Sequence, residues 1–369
     1  MGGKTTGGMR LESLDALRGF NMFFITGGST LLSALGVLAT GNADCLLAVQ
    51  MRHVEWEGLR IFDLIFPLFL FITGVTFPFS AAGHAARGGD RRSMAVKILR
   101  RALLLVAMGA VYENVQFMDW PHFRVWSVIG RIGIVWGAAA ICTLYCRRLA
   151  AVVVVAANLA GWWLLLRLFP APGAAAGADS IAEQSACLAS WVDVNFLTTA
   201  HRFEGGLATI AMLPTAFFGI WAGEYLKSSP MTGGKVLKML AVAAAMIAVG
   251  VAWAVPSWGN PIVKNIWTGS YALVSGGISL GLLAAFSWAI DVLGWKKWSF
   301  FFKVIGMNSI AIYLIDRFVP LRSIGAGFIG KLAATGSAAW NAFAVECSGV
   351  ALGWLVLWFF YRRRIFFKI

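Results

Sequence analysis

Charge is scarce in this chain. Only 13% of its 369 residues are Asp, Glu, Lys or Arg, about half the ~25% of an ordinary soluble domain. With 59% hydrophobic residues and a mean hydropathy of +0.75, the deficit excludes a soluble globular protein and leaves an all-α, polytopic membrane protein. Carboxylates are the scarcest charges: 17 stand against 31 basic side chains, a net charge of +14. In a soluble chain that excess would point to nucleic acid. Here the Lys and Arg fall in short runs between apolar segments, a pattern that serves membrane topology, so nucleic acid is not an expected partner. Walker, Rossmann and metal-ligand spacings are missing, and Gly pairs such as Gly27 with Gly28 form no phosphate loop, so no metal is expected. Cysteine is sparse as well. Cys142 and Cys146, four apart in an apolar run, read as small packing residues; Cys45 and Cys187 fall in polar segments, and a disulfide between them stays open.

What the chain does have is apolar length. About ten stretches are long enough to cross a hydrocarbon core of about 30 Å: 14–39, 61–82, 96–112, 128–145, 150–169, 206–226, 236–255, 266–290, 300–315 and 342–361. The bundle reads as one transmembrane domain over 1–369, with 1–9 disordered. The Gly-rich start is no cleavable signal peptide, so the first stretch is expected to be retained. Segment 170–205 reads as a long outer loop, a lid or vestibule wall. Segment 319–340 is weakly apolar, either an interfacial helix or an eleventh crossing.

Basic residues accumulate in cytoplasmic connections. Here they fill the even ones: Arg87 to Arg101, Arg147 and Arg148, Lys227 to Lys238, Lys296 and Lys297, and the tail from Arg362. The odd connections hold most of the loop carboxylates. The expected location is therefore the inner membrane, with both termini cytoplasmic and with His53, His122 and His201 on the periplasmic side.

The stretch 51–74, MRHVEWEGLRIFDLIFPLFLFITG, sets a titratable cluster against an uncharged apolar run. His53, Glu55, Glu57, Arg60 and Asp63 lie in its polar half. An imidazole, with an ordinary pKa of about 6.5, exchanges a proton near neutrality, as a general base must. The plainer reading is an interfacial cap facing water. Asp63 either orients the imidazole or caps the helix that follows.

Charge inside an apolar segment costs roughly 2.5–3.5 kcal/mol at its centre and needs a partner or a purpose. Asp15 and Arg18 suit an ion pair on one helix face. Arg131, and Lys264 with Asn265, start helices at the outer level; a Lys there can also snorkel. Asn308 and Ser309 lie inside an apolar run and suit hydrogen bonding between helices. Inverted repeats of the kind many transporters carry are absent by eye, which disfavours a small-solute transporter.

Five blocks then carry a resemblance: RLESLDALRGFNMFFITGG, HVEWEGLRIFDLIFPLFLFITGV, FEGGLATIAMLPTAFFGIWAG, NPIVKNIWTGSYAL and GMNSIAIYLI. In order and spacing they resemble bacterial relatives of the heparan-alpha-glucosaminide N-acetyltransferase family, a branch of the transmembrane acyltransferases. The resemblance implies an enzyme that takes an acetyl group from cytoplasmic acetyl-CoA and delivers it to the amino group of a terminal glucosamine across the lipid bilayer. His53 matches the family's catalytic histidine; Asp63, from its place behind His53 rather than from the resemblance, is the second candidate catalytic residue. Arg18, Arg131, Glu204, Lys264, Asn265, Asn308 and Ser309 are the candidate substrate contacts. An O-acyltransferase of a cell-envelope polysaccharide is the rival, and a homodimer stays open. Two departures stand out. The Asn that animal members carry shortly before the histidine has no clear counterpart, and Asn21 occupies a place where bacterial relatives often have Asp.

Overall fold

The computed structural model describes residues 11–115, 126–197, 205–333 and 335–367. It is helical, as expected, and all ten expected stretches fall on helices. The helices are α1 Glu12–Phe23, α2 Ser29–Thr40, α3 Leu46–Gln50, α4 Ile65–Ala85, α5 Arg91–Asn114, α6 Val128–Tyr145, α7 Arg148–Leu168, α8 Leu188–Phe196, α9 Leu213–Ser228, α10 Gly233–Trp253, α11 Gly269–Ser287, α12 Ser299–Met307, α13 Ser309–Phe318, α14 Leu321–Ala333 and α15 Ala338–Arg362. Among the described residues, eight helices or kinked runs are long and apolar enough to cross a bilayer, and α12 with α13 would make a ninth. The chain is a multi-pass membrane protein.

The helices differ from the sequence reading, or decide between its alternatives, for physical reasons. The stretch 300–315 is not one straight helix: α12 and α13 are bent by 75° at Asn308, whose backbone leaves the helical region at φ −130° and ψ 36°. The first span is kinked as well, by a π-helical turn at Phe24–Gly28 in which Gly27 takes φ 109°, a value open to glycine without steric cost. Segment 319–340 folds into the 13-residue α14, about 20 Å long at 1.5 Å per residue, too short for an eleventh crossing. Helix α5 reaches 24 residues, but Arg91, Arg92, Lys97, Arg100, Arg101 and Glu113 keep it outside the apolar set.

Packing divides the chain into two compact units. The first holds Trp56–Gly58 and Phe66–Ala284, the second Glu12–Glu55, Leu59–Ile65 and Ala285–Ile369. In the first, α4 and α9 approach through glycine. A Cβ built on Gly219 would stand 2.1 Å from Phe71 O, on Gly223 2.3 Å from Val75 O, and on Gly74 2.4 Å from Ala216 O. Contact this close is a main source of helix association where lipid removes the hydrophobic drive. The second unit repeats the device between α1 and α12. A Cβ on Gly19 would meet Phe302 O at 1.7 Å, and one on Gly306 would meet Asp15 O at 1.9 Å. Both neighbours are backbone and cannot swing aside. Gly19→Ala is therefore expected to cost about 1–3 kcal/mol of stability, read as a lower melting temperature of the purified protein in detergent; an unchanged melt would contradict the packing.

The second unit also holds a buried carboxylate. Glu346 on α15 accepts from Arg322 on α14 at 2.6 Å and from Thr30 on α2 at 2.7 Å, the partnering a charge within an apolar span requires. All five cysteines carry free thiols. Cys187 is fully buried, and that burial raises its thiol pKa.

Candidate active site

The geometry at His53 follows from how a helix begins. The first N–H groups of a helix have no partner within it. Ile61–Leu64 form a 3-10 turn leading into α4, with Arg60 as the extended residue before it. Asp63, third in that turn, reaches back: its Oδ2 accepts the Arg60 N–H at 3.1 Å and the Val54 N–H at 3.3 Å. These bonds fix the carboxylate, and its Oδ1 meets His53 Nδ1 at 2.7 Å. Capping and orienting the imidazole were alternatives in the sequence; here one carboxylate has a separate oxygen for each.

Asp63 is fully buried, while the His53 side chain is 51% exposed. The Arg60 guanidinium donates to His53 O at 2.8 Å, and the Phe62 ring packs 4.6 Å from the imidazole. Gln50 Oε1 accepts the Ile61 N–H at 3.1 Å, tying α3 to the same turn. The consequence is chemical. An imidazole that donates Nδ1–H to a carboxylate carries its lone pair on Nε2.

Other candidates of the second unit sit in defined roles. Arg18 Nη1 lies 3.3 Å from Asp15 Oδ1, forming the expected ion pair on α1. Asn308 does not join two helix faces as expected. It stands at the 75° break, where its Nδ2 donates to Ile365 O at 3.0 Å and its Oδ1 accepts the Phe367 N–H at 3.1 Å. Its amide pins the tail after α15. Ser309 is buried as the first residue of α13. Asn21 is fully buried and donates to Ile65 O at 3.0 Å.

In the first unit, Arg131 is buried near the start of α6, its guanidinium 5.2 Å over the Phe66 ring and its Nε 3.4 Å from Ser127 O. The indole of Trp267 meets the same Phe66 ring edge-on at 5.0 Å. Asp193 on α8 is within electrostatic reach of Arg131 and accepts the Leu207 N–H at 3.0 Å. Burial pushes the Asp193 carboxyl up, against the pull of the Leu207 and Gly206 amides and of the Arg131 charge. Gly205 has no room for a side chain: its Cβ would stand 1.5 Å from Asp193 Oδ2.

Lys264 and Asn265 do not open α11, which begins at Gly269. They lie in the turn before it. Thr268 Oγ1 accepts the Val263 N–H at 3.1 Å and donates to Pro261 O at 2.8 Å, and Ser270 Oγ donates to the same carbonyl at 2.9 Å. Trp267 takes a left-handed φ of 52°, unusual for a bulky residue. Its indole is fastened to Thr215 Oγ1 at 3.1 Å. Lys264 is 5% exposed, which overturns a snorkelling role, since a snorkelling Lys keeps its ammonium in water. The segment Trp56–Gly58 meets this turn: Glu57 pairs with Val263 and the Gly58 N–H donates to Ile262 O at 2.9 Å, while Trp56 Nε1 donates to Ile181 O at 3.0 Å.

The structure thus brings His53 to Asp63 in one unit, and in the other sets Arg131 over Phe66, within electrostatic reach of Asp193, with Trp267 on the same Phe66 ring. Glu204, His122 and His201 lie outside the described residues. Nothing in the sequence joins Phe66, Trp267 and Asp193 to Arg131; the Gly205 with Gly206 pair marks a place where another group can close on the backbone.

No family model matches the chain. It is 25% identical to the heparan-alpha-glucosaminide N-acetyltransferase of Homo sapiens, over 98% of this chain and 60% of that protein. It is also 25% identical to the Mus musculus protein of the same name, over 86% of this chain and 56% of that protein. The chain therefore spans under two thirds of the length of these curated relatives. Along nearly its whole length, the chain is a distant relative of the heparan-alpha-glucosaminide N-acetyltransferases.

Proposed function

We propose that this chain is a membrane acetyltransferase that moves an acetyl group from acetyl-CoA to the amino group of a terminal glucosamine-type sugar. The observation that carries the reading is the 2.7 Å contact between the half-exposed His53 imidazole and the buried Asp63 carboxylate, in a chain related to N-acetyltransferases. An amine attacks a thioester carbonyl only when neutral. As the C–N bond forms, nitrogen becomes cationic and must lose a proton, while the C–S bond breaks and CoA leaves as a thiolate that is then protonated. His53 Nε2 is the proposed acceptor of the amine's proton, a role that contributes about 10²- to 10⁴-fold. A second route has the imidazole take the acetyl group first and pass it on.

Arg131 and Lys264 are proposed to hold the carbonyl oxygen or the acceptor, where fixed positive groups favour developing negative charge. Asn265, Ser309, Arg18 and Glu204 remain proposed substrate contacts. Asn308 is a weaker candidate, because its amide is already used on the tail.

The test is acetyl-CoA turnover by the purified protein with a panel of amino sugars and their hydroxyl counterparts. CoA release that requires the amino group is the expected result. Equal release with plain sugars would reassign the chain to O-acylation of an envelope polysaccharide, and no release with either would end the reading.

The proposed orientation is an inner-membrane protein with cytoplasmic termini and a periplasmic His53, supported by the basic residues of the even connections. In a cysteine-free background, Arg52→Cys should react with an impermeant thiol reagent applied from the periplasmic side. Reaction only from the cytoplasmic side would invert the topology.

A further inference from the structure

Within the first unit, α4, α9, α10 and α11 leave a slot of about 560 Å³, in the size range of small-molecule sites. Phe71, Phe218, Trp221, Met239, Met246 and Leu280 line its depth. Ala241 and Val242, both exposed on α10, form its edge. The slot therefore opens along a helix that is only 22% buried over its apolar window, a face suited to acyl chains.

One end of the slot is different. Arg148, Lys238 and Tyr225 border it there, at the start of α7, the start of α10 and the end of α9. Beside them Lys235 donates to Leu226 O at 2.9 Å and to Ser229 O at 2.7 Å, with its ammonium 5.0 Å over the Tyr225 ring. Glu224 is the nearby carboxylate, 3.8 Å from Arg148. Among the described residues bordering the slot, two cations, Arg148 and Lys238, thus stand against one nearby anion. A wholly apolar ligand would leave that excess unanswered, and a small soluble anion would leave the aromatic depth unfilled. An amphiphile with an anionic head and a long apolar tail satisfies both ends, and the bilayer supplies it.

We propose that this slot is a binding site for an anionic phospholipid, with one acyl chain along Phe218, Trp221 and Met246 and the phosphate on Arg148 and Lys238. The site is independent of the His53 chemistry, and each can fail without the other. The test uses the full chain in vesicles with phosphatidylglycerol carrying a diazirine at the chain end, followed by peptide mapping. Labelling is expected on α9 and α10 peptides, competed by unlabelled phosphatidylglycerol but not by phosphatidylcholine or glycerol 3-phosphate.

The double variant R148Q/K238Q should weaken labelling by about thirtyfold, the size expected of two basic side chains near a charged lipid surface. Val242→Trp, which fills the slot and keeps the charges, should abolish it; both variants are checked for a wild-type melt in detergent. Equal labelling by a phosphatidylcholine probe, or labelling unmoved in R148Q/K238Q, would reduce the slot to ordinary bilayer contact. Competition by glycerol 3-phosphate would assign it to a soluble phosphate compound. Any of these three results overturns the proposal.

Discussion

Replacing His53 by Ala is expected to lower acetyl transfer to the amino sugar by about 10²- to 10⁴-fold, the contribution of a positioned general base. The loss should fall on kcat, because the imidazole acts on the proton that leaves the amine as the C–N bond forms. Interactions made only in the transition state show in this way. Folding should survive: the side chain is 51% exposed, and the turn that carries it keeps the Gln50 to Ile61 and Asp63 to Arg60 bonds. Binding of CoA, measured by calorimetry on the same preparation, should be retained. Transfer at a near wild-type rate would remove His53 from the mechanism.

Asp63→Asn has the second-largest expected effect, and it separates orientation from capping. In the variant the amide oxygen can still accept the Arg60 and Val54 N–H groups. The helix start therefore remains capped, and the melt should move little. The amide nitrogen then faces His53 Nδ1 as a donor. To accept it, the imidazole must carry its proton on Nε2, where the base needs its lone pair. Turnover should fall on the order of 10²-fold or more, with the KM for acetyl-CoA nearly unchanged. Were Asp63 only a cap, Asn would serve as well and turnover would stay at wild type.

Much of this site is legible in the chain because it is local. His53 and Asp63 are ten residues apart, and helix-start chemistry brings them together with no help from distant segments. The five resembling blocks named the same family that the curated relatives do. The helices were legible for a similar reason: apolar length shows in composition. Hydropathy has no sense of direction, however, so the break at Asn308 read as one continuous helix. At that break the Asn308 amide is spent on the distant tail, at Ile365 and Phe367.

The cluster around Phe66 was illegible for the opposite reason. Arg131, Asp193 and Trp267 come from three separate segments, and only packing joins them. The left-handed backbone of Trp267 has no composition cue. Glu346 is similar: its helix passes as an apolar span, and its partners Thr30 and Arg322 lie far away in the chain.

The most direct measurement is acetyl transfer across a sealed membrane. Protein reconstituted into vesicles with glucosamine trapped inside is given labelled acetyl-CoA outside, and the internal sugar is analysed. Labelled N-acetylglucosamine is expected inside vesicles carrying wild-type protein, and almost none with His53→Ala. Product formed equally well by the variant, or a wild-type protein that leaves the trapped sugar unlabelled while the same preparation is folded and binds CoA, would contradict it.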